Sequence, residues 1–457
     1  MTKIRVSLFV LIICLGSYSY SQSQADSNLQ FLIGKIKSVY AGYPFKTTPS
    51  QFDHFVKEVY TKPYKDSFAQ LSRITQYFHD PHLSLHQVVK NLDTNRCAGN
   101  RKLMAAAKSR PARHRYEGYW LSDLGDQVIQ LLASKDGTLR GYVMEARKTI
   151  PVGLEVLHLR PYGKRWQADV THLQYGYRVV CNAFFKNDSV LVCGYHTKWL
   201  KLKSFVPGVT ITTPVWDEQP ALKILDTTTV LIKMSDFSRS QLTVYDSLVK
   251  ANSTALSRAT TLLLDIRNNP GGSIRNMEPV TPYVCIDVLQ LPGAIHRSSS
   301  DLLDDAVKTR ERLVRVGDTK MVQIFDKHIA ELKQNVGGFY ESDPDSLVCN
   351  RIPNNISNVG IIMNYGSVSA AELLVLYYKQ SPKVKLFGES TGGALDYLNA
   401  LYIRMPSRNV FLMIATAKRK LNSRSDLFDE KGIKPDVAIP ESEKDWVLFV
   451  KRFYEKS

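Results

Sequence analysis

Gly360-Ile361-Ile362-Met363-Asn364-Tyr365-Gly366-Ser367-Val368-Ser369-Ala370-Ala371-Glu372-Leu373 passes from an apolar strand, through a turn of small residues, into a helix. A serine on such a turn projects its hydroxyl into open space, and the first amides of the helix point at whatever approaches it, as a nucleophile and its oxyanion hole require. Ser369 is therefore the candidate nucleophile, and Ser367 is its nearest rival. A plainer reading stays open, because Ser369-x-x-Glu372 is also a capping box. Upstream, Thr261-Leu262-Leu263-Leu264-Asp265-Ile266-Arg267-Asn268-Asn269-Pro270-Gly271-Gly272 is a second apolar run that ends in glycines. Two buried parallel strands that finish in Gly or Ser turns describe the carboxyl edge of an open α/β sheet, where ligands bind. Asp265 and Arg267, at the end of that strand, are expected to pair and order the glycine turn.

Together with Gly388-Glu389-Ser390-Thr391-Gly392-Gly393 and Lys431-Gly432-Ile433-Lys434-Pro435-Asp436, these segments resemble, in order and spacing, the C-terminal processing (tail-specific) protease and tricorn-core serine peptidase family. The resemblance covers about residues 220 to 445, with a weaker echo near residues 70 to 90. It implies a C-terminal α/β core like the tail-specific protease (ClpP/crotonase-like) fold, and serine peptidase activity. In the processing branch a lysine after the Thr-x-Gly turn is the general base, but here that position is Ala394. In the tricorn-like branch the base is a histidine from an N-terminal helical segment, completed by an acid just before the Gly-Ile/Val-x-Pro-Asp turn. By that resemblance His82, in Phe78-His79-Asp80-Pro81-His82-Leu83-Ser84-Leu85, is the base, and Asp429 is the acid with Glu430 as the alternative.

The chemistry explains these residue types. A serine hydroxyl needs a neutral imidazole to take its proton and return it to the leaving amine, and a carboxylate behind the ring fixes the tautomer. The developing oxyanion needs N–H donors, for which the amides of Ala370 and of Gly271 or Gly272 are the candidates. No metal or organic cofactor is expected. His82 and His86 have the spacing of two ligands on one helix face, but Pro81 disfavours a continuous helix and no Glu lies between them.

At 457 residues the chain is too long for one core. The reading is an α/β (α+β multidomain) protein. Residues 1–21 form an export signal, with Lys3 and Arg5 before the apolar run Val6–Leu15 and small residues Ser19 and Ser21 at the cleavage site. Residues 22–105 form an N-terminal helical domain, in which 27–90 read as helices with apolar residues three and four apart. Residues 106–220 alternate in short aromatic-rich segments and read as an antiparallel β barrel or sandwich. Residues 221–457 form the catalytic core, with a helical insert at about 300–335. The apolar run at the N-terminus is too short to span a bilayer, so a periplasmic or extracellular location is expected and no stable membrane span.

The net charge of +17 raises the question of nucleic acid, but Lys and Arg are scattered and no nucleic-acid-binding motif accompanies them. The partner expected is a peptide or protein substrate. Five cysteines follow the export signal, and Cys181 and Cys193 flank a hairpin turn at Lys186-Asn187-Asp188-Ser189, so a bridge between them is expected. Two other functions fit the same residues. One is an inactive peptide-binding or scaffold protein, and the other is an esterase-like acyl hydrolase, although a Gly-x-Ser-x-Gly elbow is missing.

Overall fold

The computed structural model describes residues 27–61, 66–122, 125–147, 150–163, 165–173, 176–194, 197–208, 219–285, 287–349, 352–421, 427–429, 431–440 and 442–456. The expected export signal and Glu430 lie outside the described residues. No helix among the described residues is long and apolar enough to cross a membrane.

The two motif strands are neighbours. Thr261–Asp265 and Asn358–Met363 run parallel, Asp265 opposite Ile362, in the middle of a sheet that also takes Ala221–Ile224, Thr229–Lys233, Val384–Gly388 and Val437–Ala438. All its pairings but the Ala221–Ile224 edge are parallel. Helices cover both faces, as the near-continuous apolar run Leu262-Leu263-Leu264 requires. Leu262 and Leu264 pack with the helix Ala370–Tyr378. Leu263 packs with Val450 of the helix Trp446–Glu455 on the other side. The expected insert is a hairpin of two helices, Ser300–Arg315 and Thr319–Gln334.

The middle segment is a barrel and not a sandwich. Gly118–Ser122, Gln127–Ala133, Leu139–Ala146, Glu155–Tyr162, Arg165–His172, Tyr177–Asn187, Val190–Cys193 and Thr197–Leu202 each pair antiparallel with the next, and the last pairs back with the first. Alternate residues such as Trp120, Ile129, Leu131, Leu159 and Trp199 fill its interior. Closure removes the free edges that an open sheet of this size exposes.

Two expectations fail here. Residues 27–90 are not helical throughout: after helices at 27–39, Pro49–Thr61 and Ser67–Gln76 the chain turns at Asp80-Pro81 and forms a strand, Ser84–Val88. That strand finds a partner on each edge, pairing with Val410–Arg419 (Ser84 opposite Met413) and with the barrel strand Tyr177–Asn187 (His86 opposite Val179). Tertiary pairing overrides the local helical pattern. Cys181 and Cys193 are free, and the bridge is Cys285–Cys349 instead. The irregular register between Phe185 and Asn187 sets Cys193 opposite Ala183, so Cys181 is only its diagonal neighbour.

Candidate active site

Ser369 ends the turn after Asn358–Met363 and caps the helix Ala370–Tyr378. Its φ of 57° and ψ of −118° lie in a region that non-glycine residues avoid, at a cost of about 1–3 kcal/mol. Its surroundings hold it there. The N–H of Val368 donates to the Asn269 carbonyl at 3.0 Å, and the N–H of Ser369 donates to Glu372 Oε2 at 2.9 Å. Glu372 is fully buried on an otherwise apolar helix. It also accepts the Thr391 hydroxyl, the Gly393 N–H at 2.8 Å and the Ala394 N–H at 2.8 Å. Four donors and no acceptor describe a carboxylate, while burial pulls its proton affinity above the usual glutamate range. Where the processing branch places a lysine, this chain has an alanine whose amide is tied to the same carboxylate as the serine's. Thr391 Oγ1 in turn accepts the Ile433 N–H at 2.7 Å, which ties the turn at Gly432 to this network.

His82 arrives from the other end of the chain. It sits in the turn before Ser84–Val88 and not on a helix. Asp80 Oδ1 accepts the His82 N–H at 2.8 Å, an Asx turn stiffened by Pro81, and the strand pairings fix where that turn points. The result is a contact of 3.2 Å between His82 Nε2 and Ser369 Oγ, across 287 positions of sequence. Protein packs densely around the ring although part of its edge stays exposed, and burial lowers its basicity more than the charge of Asp80 raises it. The imidazole is therefore neutral, as a base must be, at neutral pH. Its Nδ1 is buried without a well-formed hydrogen bond, beside the Tyr397 backbone.

The expected acid is nearby but not joined. Asp429 Oδ1 accepts the N–H groups of Leu395 and Asp396 at 3.0 and 2.9 Å, and its Oδ2 is buried with no partner. No hydrogen bond links it to His82. Burial, Asp80 and Asp396 together push its carboxyl far above the ordinary carboxylate range, so it holds a proton at neutral pH. Asp80, whose Oδ2 accepts the Tyr40 hydroxyl, is the anion that acts on the ring. The folded chain thus binds the Asp429 proton more tightly than the unfolded chain does. Its contribution to stability is complete below about pH 4 and is lost as pH rises through the neutral range. Asp429→Asn, which cannot ionise, should flatten that decline, so that its melting temperature gains on the wild type from about pH 5 to about pH 8. A gap that does not widen with pH would dismiss the buried proton.

The oxyanion candidates separate. The Gly271 N–H is committed to Asn269 Oδ1 at 2.8 Å, so it is not a free donor. Its role is space: a Cβ there would stand 2.8 Å from Ser369 Cβ and 3.0 Å from the Ala370 nitrogen. The Ala370 and Gly272 amides have no protein partner among the described residues. Ser367 is fully buried and its hydroxyl donates to the Ile266 carbonyl at 2.9 Å, so the rival serine is structural. Asp265 and Arg267 pair as expected, at 2.7 Å.

Sequence reading assigned no role to Asp80 or Tyr40 and read Glu372 only as a cap. A lone acid within Ala370-Ala371-Glu372-Leu373-Leu374-Val375 was the available signal, because a helix apolar all round is buried and its one charge must then have partners.

A serine on a strand-to-helix turn of a parallel sheet, with an imidazole against its hydroxyl, is the arrangement that serine hydrolases use. Residues 228–439, a little under half of the chain, match peptidase family S41. A probable CtpA-like serine protease of Staphylococcus aureus (strain N315) is 23% identical over 194 residues, which is 42% of this chain but only 29% of that protein. The crystal structure of mature CPAF superposes with a TM-score of 0.50 at 12% identity, covering 94% of this chain and 96% of that one. Mature CPAF complexed with lactacystin gives 0.50 at 12% identity, over 95% and 98%. These two likenesses bear on the fold.

Proposed function

We propose that the chain is an exported serine peptidase that hydrolyses peptide bonds through an acyl-enzyme intermediate. The observation that carries the reading is the 3.2 Å approach of His82 Nε2 to Ser369 Oγ. Ser369 Oγ attacks the scissile carbonyl while its proton passes to His82 Nε2. The Gly272 and Ala370 amides donate to the oxyanion. The imidazolium then gives its proton to the departing amine, which leaves Ser369 as an ester, and His82 deprotonates the water that releases the acid. Asp80 steadies the charged ring electrostatically, and Asp429 serves as a buried neutral partner in the same acidic cluster. No step needs a metal or cofactor. Export rests on the charged and apolar residues at 1–21, and the Cys285–Cys349 bridge suits an oxidising compartment.

Labelling with a fluorophosphonate probe tests the reading. The wild type should carry one adduct, mapped to Ser369 by mass spectrometry, and folded Ser369→Ala should carry none. A folded wild type that stays unlabelled would favour the scaffold reading, and labelling with ester but not peptide turnover would favour the acyl hydrolase.

A further inference from the structure

A cavity of about 660 Å³ opens beside the nucleophile, with Asn268, Pro270 and Gly366 on one rim and Asp80 and Pro81 on the other. These residues flank Gly271, Ser369 and His82 in the chain, so the cavity adjoins the reacting atoms. Part of its lining, the floor, is one sheet face built from three distant parts of the sequence. Tyr177, Val179 and Cys181 are alternate residues of one barrel strand, and alternate residues share a face. Val180, Asn182 and Phe184 of the same barrel strand line the cavity from the other face. His86 is in register with Val179, and on the same strand Ser84 is in register with Met413, which is itself opposite Tyr402. All of these line the cavity.

The floor is uncharged. Burial lowers His86 to about 4, so its ring is neutral, and Ser84 Oγ lies 2.8 Å from its Nε2. The rings of His86 and Tyr177 meet edge to face at 5.0 Å, and Tyr402 stands 6.3 Å from His86. The acids of the lining accept hydrogen bonds, Asp80 from Tyr40 and the His82 amide and Asp126 from Ser122, and the exposed Arg165 lines the cavity as well. The volume exceeds that of one side chain and is typical of pockets that enclose a ligand. An aromatic or large aliphatic side chain placed against this face gains about 25 cal/mol for each Å² it buries, a gain that a charged side chain does not make.

We infer that the barrel mouth is the specificity pocket of the site, and that it selects peptides carrying a bulky uncharged side chain, aromatic or large aliphatic, next to the scissile bond. The inference rests on the peptidase reading for its substrate but not for its pocket. Its test uses one set of short peptides with Phe, Leu, Lys or Glu flanking the cleaved bond. Turnover by the wild type should give kcat/KM at least about tenfold higher for Phe and Leu than for Lys and Glu, within what a pocket of this kind can discriminate. Fluorescence anisotropy with folded Ser369→Ala should give the same ranking of affinities. Tyr402→Lys, at a residue 67% exposed and therefore tolerant of change, should raise the ratio of Glu to Lys peptides at least about tenfold. Turnover without ranking, or an unmoved ratio in Tyr402→Lys, overturns the pocket and leaves the peptidase reading standing. Ranked binding to Ser369→Ala without wild-type turnover does the reverse, and no binding at all overturns the pocket.

Discussion

His82→Ala should react with a fluorophosphonate on the order of 10⁴-fold or more slowly than the wild type, with the melting temperature nearly unchanged. The size of the loss follows from what the imidazole supplies. Without it the hydroxyl must surrender its proton to water while it attacks, and the strained Ser369 backbone gains nothing in return. The acid limb of the wild-type rate should also lie below the ordinary histidine range, because burial lowers the basicity of the ring and keeps it neutral to lower pH. A rate within tenfold of wild type in the folded variant would remove His82 from the mechanism.

Glu372→Ala should be the most damaging change to stability, about 3–5 kcal/mol by chemical denaturation. Its carboxylate gathers the Ser369, Gly393 and Ala394 amides and the Thr391 hydroxyl in a site that water does not reach. Truncation leaves four buried donors without an acceptor and opens a cavity. Glu372→Gln keeps one carbonyl oxygen and most of the volume, so it should recover part of the stability. It should still label slowly, because its amide NH₂ faces donors and releases the turn that holds Ser369 at a positive φ. A Glu372→Ala protein as stable and as reactive as the wild type would show that the network is incidental.

The core was legible because buried parallel strands write themselves as unbroken apolar runs closed by Gly or Ser, and both Thr261–Asp265 and Asn358–Met363 do so. The barrel was legible as short alternating segments, but its closure was not. Which strand pairs with the first depends on register, and Thr197–Leu202 carries no mark that it meets Gly118–Ser122. Ser84–Val88 was hidden for a related reason, since its two partners lie far along the chain and its own pattern is only weakly alternating. In the site, Ser369 stood out through its turn and His82 through resemblance. The commitment of the Gly271 amide, the proton on Asp429 and the reach of Glu372 depend on what is packed around them, which no local spacing records.

The strand that follows His82 has one more consequence. Its two hydrogen-bonded neighbours come from the middle and the far end of the polypeptide, so its pairing is complete only once the chain has been made as far as Val410–Arg419. Contacts of such separation form late and slowly. On the proposed peptidase reading, a molecule in which this strand is still unpaired lacks the contact between His82 and Ser369, and cleavage waits on the completed fold.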